Sequence, residues 1–158
     1  MKFEDIYPEV ARPYVAAFVI LRRGSKVAMV LRKNTGWMDG HYGLPAGKGE
    51  WFEPFTDAAI REANEEVGVK IDRSRIRVVH VVHRHGEDIA SQKFMDWIDV
   101  YFEADEWEGE PHNAEEHKSE RLDWLDLNSL PGNIVPPQRD ALEHIAKGEF
   151  YSEYGWGN

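Results

Sequence analysis

Gly47-Lys48-Gly49-Glu50-Trp51-Phe52-Glu53 leads, after seven intervening residues, into Arg61-Glu62-Ala63-Asn64-Glu65-Glu66-Val67-Gly68-Val69. From Thr56 to Val67 the pattern is helical, with Ala59, Ile60, Ala63 and Val67 on one stripe and Gly68 placed as a C-terminal stop. Residues three and four apart are neighbours on a helix, so Glu62, Glu65 and Glu66 share one patch, with Arg61 the only nearby cation in sequence. Like charges at that spacing repel mildly, and a hard divalent cation would relieve them. Two readings follow: a solvated acidic helix face, or an oxygen-only ligand set of the kind that holds Mg2+ or Mn2+ beside substrate phosphates.

Outward from this stretch the chain alternates between strand and helix signals. Asn34 to Gly49 carries Gly36, Gly40, Gly43, Gly47 and Gly49 with Pro45, which predicts a long shaped loop rather than a regular element. Ahead of it, Tyr14 to Arg22 and Lys26 to Arg32 read as strands joined by a turn at Gly24-Ser25, a hairpin. Beyond the helix, strands are expected at Arg75 to Arg84 and Lys93 to Glu103, a polar loop at Glu106 to Lys118, and a short strand at Arg121 to Leu127. Pro136-Pro137 opens an amphipathic helix with Ala141, Leu142 and Ile145 inward, and Phe150, Tyr151, Tyr154 and Trp156 are expected to pin the tail. With no internal repeat or linker, residues 1–158 are read as one α/β domain, a sheet with helices packed on it.

Composition narrows the function classes. The charge is 19 − 29 = −10 with pI near 5.1, which argues against polymeric nucleic acid or an acidic membrane as partner. With no cysteine, a disulfide framework, a thiolate metal site and a cysteine nucleophile are excluded. The longest apolar run, Tyr14 to Leu21, is too short to span a bilayer, and Met1 to Arg12 is not signal-like, so a cytoplasmic location is expected.

The opening stretch resembles the Nudix box, G-x5-E-x7-R-E-U-x-E-E-x-G-U with U aliphatic, at residues 47–69. Gly47, Glu53, Arg61, Glu62, Glu65, Glu66, Gly68 and Val69 meet its fixed positions and Ala63 the first aliphatic one. Lys26 through Arg32 to Leu44-Pro45-Ala46-Gly47-Lys48, and Trp107-Glu108-Gly109-Glu110-Pro111, also resemble MutT-type nucleoside triphosphate pyrophosphohydrolases. The resemblance implies the Nudix α/β/α sandwich, a mixed sheet between helices, and Mg2+ or Mn2+ as cofactor. It implies metal and base roles for Glu62, Glu65 and Glu66, a backbone ligand at the Ala46 carbonyl, and a loop ligand at Glu115 with Glu116 its competitor. Glu53 and Arg61 would brace the helix. Arg32 would contact phosphate, and Arg139 stands where oxidised-guanine-reading members have an asparagine. Which of Glu62 and Glu65 is the general base stays open.

A carboxylate beside a metal can take a proton from water, and polyanionic phosphates need the neutralisation that a metal supplies. The resemblance therefore implies hydrolysis of a nucleoside triphosphate to monophosphate and pyrophosphate. Hydrolysis of another nucleoside diphosphate derivative is the runner-up, and a non-catalytic nucleotide-sensing domain the outsider. A homodimer is compatible with either. Trp37 and Tyr42, on the glycine-rich loop, are candidates to stack a base or to pack. On a strand His83 and His85 share one face and His80 the other, so the three are read as structural or solvated. His112 and His117, near Glu115, are candidates for substrate contact.

Overall fold

The computed structural model describes residues 1–6, 9–88 and 92–157. A one-turn helix, α1 (Phe3–Ile6), precedes β1 (Tyr14–Arg23), β2 (Lys26–Arg32), β3 (Tyr42–Gly43) and β4 (Ala46–Lys48). Helix α2 (Phe55–Val67), a 3-10 turn (Arg73–Arg75), β5 (Ile76–Asp88), β6 (Lys93–Ala104) and β7 (Ser119–Asp126) follow, then α3 (Pro136–Ala146) and β8 (Tyr151–Tyr154). The sheet runs β3-β2-β1-β6-β5-β8, with β4 on β1 and β7 on β2. It is mixed: β1 is parallel to β6 and β5 to β8, while the other pairs are antiparallel. No helix among the described residues is long and apolar enough to cross a membrane.

Strand alternation sends successive side chains of β1 to opposite faces. Ala17, Val19 and Leu21 join one apolar cluster with Ala58, Ala59, Ala63 and Val67 of α2. Ala16, Phe18 and Ile20 join the other with Ala141 and Leu142 of α3. The result is the α/β/α sandwich expected from the sequence. Three alanines let α2 lie close against the sheet, and it ends where Gly68, at φ 72°, adopts the left-handed conformation and donates its N–H to the Asn64 carbonyl at 3.0 Å.

Several boundaries differ from expectation. The loop at 34–49 holds two short strands, β3 and β4, because its backbone pairs with β2 and β1 despite the glycines. The β1–β2 hairpin closes at the turn, Arg22 opposite Val27 and Arg23 opposite Lys26, and β4 and β6 then take the flanks of β1. Strand β5 runs on to Asp88, past the expected Arg84. The tail forms strand β8 on β5, with Ser152 buried and Trp156 Nε1 donating to the His83 carbonyl at 2.8 Å. Tyr151 and Phe150 remain exposed, so the tail is held chiefly by backbone pairing.

Candidate active site

Three elements meet at one cavity of about 540 Å³: the β4 strand, α2 through Glu66, and the 113–119 loop, closed over by the start of α3; Glu62 and Glu65 do not line it. The β1–β4 register makes Phe18 and Ala46 a pair outside the ladder hydrogen bonds, which flank it at Val19 N to Pro45 O and Gly49 N to Val15 O. The Ala46 N–H and C=O therefore both face away from β1. The N–H donates to Glu66 Oε2 at 3.0 Å, and the carbonyl lies on that same side. A Cβ on Gly47 would overlap the Glu62 carboxylate, so glycine there lets that carboxylate rest against the strand backbone.

Arg61 organises the outer part of the cluster. Its Nε donates to Glu53 Oε2 at 2.8 Å and its Nη2 to Glu53 Oε1 at 3.1 Å, a two-pronged pairing that ties the loop to the helix. Its Nη1 reaches Glu62 at 2.8 Å and Glu65 at 3.3 Å. The guanidinium pulls the Glu53 carboxyl below the usual carboxylate range, and these partners push Arg61 well up. Burial pushes Glu62 up against the pull of Arg61, with Glu65 and Glu115 adding to the rise.

Glu66 is the most perturbed of the set. Burial first, opposed by the Ala46 N–H and Arg32 and aided by the charges of Glu62 and Glu115, raises its carboxyl to about 8. Glu115 lines the same cavity, with Lys118 at 3.5 Å, whereas Glu116 lies on a separate depression with His112 and Asn113. Glu62, Glu66 and Glu115 are thus close enough to feel one another's charge. Among the described residues no three carboxylates or imidazoles converge at ligation distance, and Glu65 leans outward onto Arg61, its side chain half exposed. The donor chemistry nevertheless fits a hard cation: all donors are oxygens, and a carboxylate held neutral by burial and by nearby like charges would ionise beside one.

The residues expected on the substrate side divide by position. Arg32 lines the cavity, donating to the Trp37 carbonyl at 3.0 Å and to Thr35 Oγ1 at 3.1 Å, its guanidinium 5.2 Å from the Trp37 ring centre. Trp37 lines it too. Tyr42 instead is buried in β3, its hydroxyl on Asp123, and packs rather than facing the cavity. Arg139 does not line the cavity; its guanidinium donates to the Pro131 carbonyl. Pro137 and Gln138 of α3 do line it, and Gln138 Oε1 accepts from Leu44 N at 2.7 Å. A sequence signal existed, because Gln138 lies three and four residues before Ala141 and Leu142 on the inward stripe.

The sequence reading also passed over Lys48, Arg84, Trp97, Asp99 and Lys118, all lining the cavity. Arg84 Nε donates to Asp99 Oδ2 at 2.5 Å and Nη2 to Oδ1 at 3.1 Å, a pair buried across β5 and β6. Its signal was two opposite charges on inward positions of neighbouring strands, at the parity of Val82 and Tyr101. The histidines fall as expected. His80 is buried, bonded to the Glu149 carbonyl and Ser152 Oγ, and His83 and His85 lie half-buried against Trp156. His112 packs over Gly68.

Comparison with known proteins agrees with the geometry. The NUDIX domain model matches residues 11–145. A MutT NUDIX hydrolase from Burkholderia pseudomallei is 31% identical, with 84% of this chain and 97% of that one covered at a TM-score of 0.72. MutT proteins from Methanosarcina mazei Go1 (17% identity, 88% and 97% covered, TM-score 0.70) and Bacillus halodurans (19%, 89% and 89%, 0.67) share the fold. The chain belongs to the Nudix family, as a MutT-type Nudix hydrolase. Nudix hydrolases as a class act on nucleotide substrates and use a divalent metal.

Proposed function

We propose that this enzyme hydrolyses a nucleoside triphosphate to nucleoside monophosphate and pyrophosphate with Mg2+ or Mn2+. The observation that supports this most is the cavity lining: in a chain of charge −10, Arg32, Lys48 and Lys118 gather around Glu66 and Glu115, while Arg84 is paired with Asp99. Cations suit a polyphosphate, and paired acids suit the metal that accompanies it. Hydrolysis of another nucleoside diphosphate derivative remains the second reading, on the same lining.

In this reading Ala46 through its carbonyl, Glu62, Glu65, Glu66 and Glu115 hold the ion. The bound ion would neutralise phosphate oxygens and make a water more acidic. Glu62 or Glu65 takes the proton of the attacking water, and the Glu53–Arg61 pair fixes the helix that presents them. Arg32 grips phosphate oxygens, Trp37 offers a face to the base, and Arg139 is the remaining substrate-side candidate. Residues 1–158 act as one Nudix unit with the box at 47–69, in the cytoplasm, with a nucleotide and no polymeric nucleic acid as partner, as monomer or homodimer. Incubation with a nucleotide panel and Mg2+, scoring pyrophosphate against phosphate, tests the reading. Pyrophosphate release supports it, and release of phosphate alone contradicts it.

A further inference from the structure

We propose that Thr35 and Asp39 are positioning residues that hold the Arg32 guanidinium by one edge and leave its other fork free for a phosphate group. The substrate class rests on the nucleotide reading above; the positioning rests on the hydrogen bonds of the 34–40 loop.

The loop follows β2 directly and is tightly wound. Asn34 (φ 55°), Gly36 (80°), Met38 (51°) and Gly40 (83°) all lie in the left-handed region, and two of the four carry side chains, so this backbone needs a restraint. Asp39 supplies it: Oδ1 accepts from Thr35 N at 3.1 Å and from the Thr35 hydroxyl at 2.5 Å, and Oδ2 accepts from Gly36 N at 3.0 Å. A hydroxyl has one hydrogen to give, and the carboxylate is a stronger acceptor than the Trp37 carbonyl 2.9 Å away. The Thr35 oxygen is then left to accept from Arg32 Nη2 at 3.1 Å, and the Trp37 carbonyl to accept from Arg32 Nε at 3.0 Å.

Nε–H and one Nη2–H form the side-on fork of a guanidinium, and the loop takes both. Of five N–H groups three remain, two of which make the end-on fork that matches phosphate oxygens. The Trp37 ring, 5.2 Å from the guanidinium, braces it where both line the cavity. Asp39 and Arg32 also feel one another's charge directly. That charge alone works against an anionic substrate, because a carboxylate near Arg32 repels a polyphosphate. Removing Asp39 would therefore tighten substrate binding if its role were electrostatic, and weakens it if Asp39 positions Arg32. The two roles differ in sign.

Kinetics with a nucleoside triphosphate and Mg2+ test this in Asp39→Ala and in Thr35→Val, which keeps the side-chain shape and loses the hydroxyl. We expect KM to rise at least about threefold in both, with kcat within about threefold of wild type and Thr35→Ser within about twofold of it in KM. In an Arg32→Ala background either substitution is expected to add less than about a further twofold, because the group it positions is gone. A smaller rise or a fall in KM, a larger loss of kcat, or a loss that adds in full to that of Arg32→Ala overturns the proposal. So does a Thr35→Ser variant as impaired as Thr35→Val. Should no triphosphate be hydrolysed, calorimetric titration with pyrophosphate and Mg2+ separates the two claims. Binding at least about threefold weaker in both variants than in wild type then upholds the positioning while the hydrolase reading falls, and a smaller difference or absent binding overturns it.

Discussion

Glu66 concentrates the chemistry of the site in one carboxyl. It is buried, bonded to the Ala46 N–H, and raised to about 8 with Glu62 and Glu115 nearby. Glu66→Gln keeps its shape and removes its capacity to ionise. The variant is expected to lose at least a hundredfold in Mg2+-dependent turnover while its metal-free melting temperature holds or rises, measured by product assay and thermal scan. Near-normal turnover would remove Glu66 from the ligand set. Arg32→Ala, at the same scale, is expected to weaken all accepted nucleotides by similar factors, because a phosphate grip is common to them. A change in base ranking would instead tie Arg32 to the base. The acidic cluster was legible from spacing alone, since helix geometry is local. Gln138 was passed over for Arg139, although its spacing to Ala141 and Leu142 put it on the inward stripe of α3.

Helix α2 is both scaffold and, through Glu66, a wall of the candidate site. Ala58, Ala59 and Ala63 are fully buried, so the distance of the helix from the sheet is set by methyl groups. Ala63→Leu is expected to cost about 1–3 kcal/mol by overpacking and to lift Glu62 and Glu66 away from Ala46, read as a lower melting temperature with a weaker Mg2+ response. An unchanged melting temperature would mean that the interface has slack. At the C-terminal end, a Cβ on Gly68 would strike His112 and sit at φ 72°, so Gly68→Ala should lower the melting temperature by several degrees. Periodicity revealed α2, α3, β1, β2, β5 and β6, whose patterns extend over seven or more residues. The short strands β3, β4 and β8 left no such trace, because they exist through partners distant in sequence.

For the whole molecule, stability, pH and metal are linked through the same buried acid. Below pH 4.5 the Glu66 carboxyl is protonated in both folded and unfolded chains, and between 4.5 and about 8 only the folded one keeps the proton. The unfolded chain binds fewer protons there, so this group makes metal-free stability fall as pH rises through that window, by an amount on the order of a few kcal/mol. A divalent ion favours the ionised carboxylate and adds stability as pH rises, so Mg2+ should flatten the slope. Melting temperatures from pH 5 to 8 with EDTA and with Mg2+ check this; parallel curves would place the ion elsewhere. The most direct test of the central claim follows the products from a nucleoside triphosphate with Mg2+, for the wild type and for a folded Glu62, Glu65, Glu66 triple glutamine variant. We predict equimolar monophosphate and pyrophosphate from the wild type, abolished by EDTA and absent in the variant. Undiminished turnover by the variant, or stepwise release of phosphate, would contradict the account.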